Sequence, residues 1–196
     1  MRTRAGIWRL AAVPLVVGAV LRLLLVAYIQ VLHGSFLFLD DQGYDRIGWS
    51  LAQAWHMHMF PSPASVAYAG TLSYLYYVFV AALYFVFGHH WLLVKVVAAL
   101  LSALSVPAAA AVGDSLAGRR LAVPAAWLAA LYPNAVFWGA TGLKDGPLTT
   151  LVLVMAAIAL RPLTMRGLSF AVAVIAVALL TRPVMGFTGL AMLAVP

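Results

Sequence analysis

The sequence has no cysteine and no glutamate, and charge of either sign is scarce: 9% of its 196 residues are charged against 65% hydrophobic. The lack of cysteine excludes disulfides, thiolate metal sites and a cysteine nucleophile, and gives no clue to redox compartment. The scarcity of charge excludes an ordinary soluble domain, in which about a quarter of residues are charged. A mean hydropathy of +1.03 agrees with an integral membrane protein. The length leaves room for roughly five or six spans of ~20 residues each. There is no low-complexity tract and no clear internal repeat, so residues 1–196 read as one membrane domain. The formal charge of +7 does not argue for nucleic acid. The excess lies between apolar segments, where cytoplasmic loops of membrane proteins collect Lys and Arg.

The five acidic residues are all aspartate, and Asp40, Asp41 and Asp45 fall within one short polar stretch, 38–55. Carboxylates near hydrocarbon are expensive and usually functional, so this stretch anchors the reading. Before it runs Arg2, Arg4 and Arg9, then an apolar run from Ile7 to Leu32. That run is too long for a signal-peptide core and lacks a small-residue cleavage site after it. It reads as an uncleaved first span with Arg22 toward its outer end. Residues 42–55 fit a short amphipathic helix lying on the membrane, anchored by Tyr44, Ile47, Trp49, Leu51 and Trp55. Met59 to Tyr68, with Pro61 and Pro63, reads as an extended loop. Further apolar segments follow at 72–87, 91–112, 121–140, 147–160, 167–181 and from 184.

Charge parity decides what 72–87 does. If it crosses the membrane, Arg119-Arg120 and Arg161 with Arg166 fall outside, against the positive-inside rule. If it lies along the outer interface, they fall inside with the N-terminus. The second arrangement is expected, with Tyr74, Tyr76, Tyr77 and Tyr84 at the headgroup level. The fold class is then all-α: a polytopic helical bundle of about five transmembrane helices, with two juxtamembrane helices in a first outer loop, 33–90. Asp40, Asp41, Asp45 and Asp145 share the outer side. Arg22, Arg46, Lys95, Lys144 and Arg182 lie at or near that level. Asp114 stays inside as a loop charge beside Arg119-Arg120.

Carboxylates facing an outer cavity can serve as general base, hold a divalent cation or orient a hydroxyl. Cations at the lipid–water boundary suit a phosphate headgroup. Together they fit group transfer from a lipid phosphate. In order and spacing, several short motifs carry a family resemblance. They are Arg22 near the outer end of the first span, Asp40-Asp41-Gln42-Gly43-Tyr44, and the Tyr-rich stretch from Gly70 to Gly88. Lys95, Gly118-Arg119-Arg120, Tyr132-Pro133, Lys144-Asp145-Gly146-Pro147 and Leu180-Thr181-Arg182-Pro183 follow. On these the chain resembles the GT-C membrane glycosyltransferases, in particular the protein mannosyltransferase and aminoarabinose transferase branch (glycosyltransferase family 39-like). The resemblance implies a polyprenyl-phosphate-linked sugar as donor and transfer on the outer face of the inner membrane. It implies Asp40, Asp41 and Asp145 as catalytic candidates. Arg22, Lys95, Lys144 and Arg182 become candidates for the lipid phosphate. Asp41 departs in type, since relatives often carry glutamate there. No cofactor is required by the resemblance, though related oligosaccharyltransferases bind a divalent cation at comparable acids. Family members are typically at least twice as long, so this chain is expected to be an N-terminal portion or a minimal module.

Plainer readings stand beside these. Asp40-Asp41 could simply start a helix, and Asp145 with Pro147 could do the same. Arg22, Lys95 and Arg182 could snorkel to headgroups. Asp45-Arg46 fits a solvated surface pair. His89 and His90, as neighbours on a helix, would point apart, and His56 with His58 lacks a visible third ligand for a metal. A non-catalytic membrane subunit that assembles with another membrane protein is the alternative to an enzyme. A small transporter fits less well, because the spans lack polar residues at mid-depth.

Overall fold

The computed structural model describes residues 4–61, 73–162 and 164–194, the side chains of 4, 5, 166 and 194 excepted. The described residues form ten helices and no strand: α1 Arg4–His33, α2 Leu39–His56, α3 Tyr74–Phe87, α4 Trp91–Ala103, α5 Ser105–Ala117, α6 Arg119–Leu131, α7 Pro133–Ala140, α8 Asp145–Ala159, α9 Met165–Thr181 and α10 Pro183–Ala194. The segment expected as an extended loop over Met59 to Tyr68 lies outside the described residues beyond Pro61.

Among the described residues two helical stretches are long and apolar enough to cross a membrane, Gly6–His33 and Trp91–Ala117, and a third if the bent pair α6–α7 counts as one span. Among the shorter helices α3, α8, α9 and α10 are apolar, whereas α2 is amphipathic.

Proline sets the breaks. Pro107 has no N–H and its ring crowds the carbonyl of residue 103, so the 91–117 helix is interrupted at Leu104. Pro133 forces Tyr132 into an extended conformation (φ −61°, ψ 114°), and α7 leaves α6 at 51°. Pro183 does the same between α9 and α10, with Arg182 extended at φ −158°.

Small residues let the helices approach. Ala11 of α1, Ala110 of α5 and Ala126 and Ala130 of α6 form a buried cluster with Val106. This is how apolar helices associate in lipid, where close van der Waals packing replaces the hydrophobic drive. A Cβ on Gly113 would lie 2.6 Å from the Leu121 carbonyl oxygen, so the α5–α6 turn closes only over a glycine.

α2 and α3 pack against each other as a pair. Gly48 sits where a Cβ would come within 2.9 Å of Val80 Cβ. The face of α2 turned inward is Asp41, Tyr44, Gly48, Leu51 and Ala52, a three–four spacing. Here the structure corrects the sequence reading. Tyr44, Tyr76, Tyr77 and Tyr84 are 3%, 4%, 2% and 0% exposed, so they form a core between helices instead of a headgroup belt. Tyr44 lies edge-on to Tyr76 at 5.0 Å. Ile47, Trp49, Trp55 and Tyr74 pack partly buried around the same core.

The two ends of the bundle differ in chemistry. At one end Arg161 Nε donates to Ser115 Oγ at 3.3 Å, near the start of the Arg119-Arg120 turn. At the other end α2, α3, the 141–144 loop and Arg182 meet.

Candidate functional site

The 141–145 turn is where the second end is built. Gly142 adopts φ 77°, which a side-chain-bearing residue rarely takes, and a Cβ there would lie 2.9 Å from Lys95 Cγ. The Tyr76 hydroxyl donates to the Gly142 carbonyl, tying α3 to the turn. α8 then begins at Asp145, with Pro147 in its first turn where no N–H is needed. The acid at the first helical position faces the positive end of the helix dipole.

Lys144, Asp145 and Arg182 converge there. Arg182 Nη1 donates to Asp145 Oδ1 at 3.0 Å, with both side chains part-exposed. Lys144 Nζ donates to Ser73 Oγ and stands 5.4 Å from the centre of the Tyr44 ring. Burial pushes the Lys144 ammonium below its ordinary range, opposed by Asp145 and reinforced by Arg182, while Asp40 and Tyr77 also act on it. Asp40, Asp145 and Arg182 act on the Tyr44 phenol too, whose pKa is raised first of all by burial. Asp40 itself is exposed, in the first turn of α2. Asp40, Lys144, Asp145 and Arg182 thus lie within electrostatic reach of one another around the buried Tyr44.

The remaining expected site residues lie elsewhere. Asp41 is fully buried, and its Oδ2 accepts from the N–H groups of Leu37 (2.7 Å) and Phe38 (3.1 Å). Those donors are orphaned at a helix start, so Asp41 holds the beginning of α2 and does not stand with Asp40 as an open catalytic pair. Its Oδ1 is buried without a partner among the described residues. Lys95 is also fully buried; its Nζ lies 3.3 Å from the Gly34 carbonyl oxygen and 3.5 Å from Gln30 Oε1. It fastens α4 to the end of α1 within electrostatic reach of Asp41, and is not presented to a headgroup.

Arg22 departs furthest from expectation. It is fully buried, and donates from Nη1 to Gly18 O at 2.9 Å, from Nη2 to Ala129 O at 3.2 Å and from Nε to Ser102 Oγ at 3.3 Å. The helix partner of Ala129 O would be the N–H of residue 133, which is proline. Arg22 supplies the missing donor at the α6–α7 bend, so the expected phosphate role gives way to a structural one. Thr150 serves the α4–α5 break similarly, its hydroxyl donating to Leu101 O at 2.9 Å.

Asp45 is likewise not a solvated partner of Arg46. It accepts from the Tyr84 hydroxyl and lies 2.9 Å from His89 Nε2. The His89 ring stacks on Trp49 at 4.7 Å. Burial, then the hydrogen bond and charge of Asp45, raise the Tyr84 phenol, which keeps it a donor. His56 stacks on Phe85 at 4.5 Å. Among the described residues no group of three or more His, Cys, Asp or Glu is placed to hold a metal.

Sequence reasoning missed Ser73 altogether and read Tyr77 only as a headgroup anchor. Nothing in the sequence points either of them at Lys144, because what brings them there is the docking of α3 on the 141–145 turn. Compared with family models, with curated proteins and with solved structures, the chain matches none.

Proposed function

We propose that the chain is a polytopic membrane glycosyltransferase, or a portion of one, that takes a sugar from a polyprenyl phosphate at the end of the bundle carrying Asp40 and Asp145. The observation that carries this reading is the convergence of two carboxylates and two cations, Asp40, Asp145, Lys144 and Arg182, around Tyr44 and Ser73. A hydroxyl acceptor attacks the anomeric carbon of the donor. The carbon–oxygen bond to the phosphate breaks, and that oxygen leaves with the bonding pair as polyprenyl phosphate. Asp40, the exposed acid, takes the hydroxyl proton. Lys144 and Arg182 stabilise the charge gathering on the leaving phosphate. Asp145 orients Arg182 through their 3.0 Å pair.

One feature supports the lipid nature of the donor. An apolar groove of about 370 Å³ runs between α5, α6, α7 and α8. Thr149, one turn after Asp145 in α8, lines it and donates to the Asp145 carbonyl at 2.9 Å. A polyprenyl tail in that groove places its phosphate near the cations. In this reading the short helices α8 and α9 also cross the membrane. The bundle then has about five spans, with the α2–α3 pair lying on the outer face and the basic end in the cytoplasm.

Asp40→Asn removes the base while keeping size and shape, and α2 is held by Asp41 instead. Transfer from a radiolabelled polyprenyl-phosphate sugar should fall at least a hundredfold, the scale of a lost general base (~10²–10⁴), with helix content and monodispersity unchanged. Transfer at the wild-type rate by the folded variant rejects the proposal.

A further inference from the structure

We infer that the basic end of the bundle carries a second, separate site, a cleft that holds one anionic phospholipid of the adjoining leaflet. A cavity of about 530 Å³ opens between the first turn of α1, the first half of α5, the last turns of α8 and the start of α9. Its walls are apolar, among them Trp8, Ala108, Ala157 and Phe170, while Arg161 and Thr164 line it in the linker between α8 and α9. The hydrogen bond from Arg161 Nε to Ser115 Oγ fixes one edge of the guanidinium there.

The depth matches an acyl chain. Ser115 marks the level of Arg161, and Pro107, which also lines the cavity, lies eight residues earlier along α5. At 1.5 Å per residue that is about 12 Å, close to one leaflet of a hydrocarbon core ~30 Å thick. A transmembrane helix of a partner would need a groove of full bilayer height. A cleft one leaflet deep, apolar along its walls and cationic at its mouth, has the polarity of a phospholipid. The charge selects an anionic headgroup, which a guanidinium binds through paired N–H donors.

The test is native mass spectrometry of the purified full chain in detergent with equal phosphatidylglycerol and phosphatidylcholine. Wild type should retain phosphatidylglycerol about tenfold better, the scale of one charge-assisted contact. Arg161→Gln should remove that preference, and Ala157→Phe, which fills the cleft, should lower retention of both lipids. Arg161 is exposed, so R161Q keeps the test decisive even if A157F does not fold. Equal retention of the two lipids by wild type overturns the proposal. So does a preference that survives R161Q, or one lost equally in Arg46→Gln, whose exposed cation lies on α2 at the other end. None of these outcomes depends on sugar transfer.

Discussion

Adjacent residues on a helix point about 100° apart, so two neighbouring aspartates cannot both face the same surface. Asp40 is exposed and Asp41 fully buried for that reason. The pair was legible in the sequence, but the division of labour was not, because it depends on which way α2 is turned against α3. The same limit hid the role of Arg22. Its presence in a span marked it as important, yet its partner is a carbonyl freed by a proline 111 positions later in the chain. Arg22→Leu should lower stability by ~1–3 kcal/mol, the cost of stranding a buried acceptor. Adding Pro133→Ala returns an N–H to Ala129 O and should recover part of the loss. Thermal unfolding of the four variants of this cycle in detergent measures the coupling, and additive effects would count against the account. Lys144 gives a pH prediction. Burial lowers its pKa from that of an ordinary lysine, so its cationic form is present below the lowered value and is lost as pH rises through it. Polyprenyl phosphate binding should therefore weaken at a pH below that of an ordinary lysine. Lys144→Arg should move the loss upward, and superimposable pH profiles for the two proteins would refute a phosphate contact at this position.

At the scale of elements, helix positions were readable because proline and glycine punctuate apolar runs. The expected segments from 91 onward all reappear, with the 121–140 segment bent where Pro133 follows Tyr132. The break at Leu104 was not anticipated, since Pro107 sits inside an unbroken apolar run whose hydropathy gives no sign of a bend. The aromatic face of α2 was read as a membrane anchor for a related reason. An amphipathic period shows that one face is apolar, and it does not show whether that face meets lipid or a neighbouring apolar helix. The partner, α3, is itself nearly all apolar. Gly48 is the point of closest approach, so Gly48→Val should cost ~1–3 kcal/mol through overpacking against Val80. Val80→Ala, which removes two methyl groups beside the new side chain, should recover part of it. Limited proteolysis within α2 reads this out, and cleavage at the wild-type rate in Gly48→Val would argue against the tight α2–α3 contact.

At the scale of the whole molecule, what needs explaining is that charges far apart in sequence are sorted to two ends. Asp45 meets His89 across a stretch that contains all of α3, and Arg161 meets Ser115 across α6, α7 and α8. Sorting of this kind is the positive-inside pattern if the membrane lies between the two ends. Residues 46 and 90 belong on one side of the membrane, because their neighbours Asp45 and His89 are 2.9 Å apart. The absence of native cysteine makes this directly measurable, because a single introduced thiol is the one reactive site. Single cysteines at Arg46 and His90, both exposed, should react with a membrane-impermeant maleimide in intact cells. Cysteines at Arg120 and Arg161, also exposed, should react only after permeabilisation. Labelling of 46 and 90 from opposite sides would put α3 through the membrane. Labelling of 90 and 120 from the same side would mean that the 91–117 helix does not span. Either result removes the common surface on which Asp40, Lys144, Asp145 and Arg182 are proposed to act.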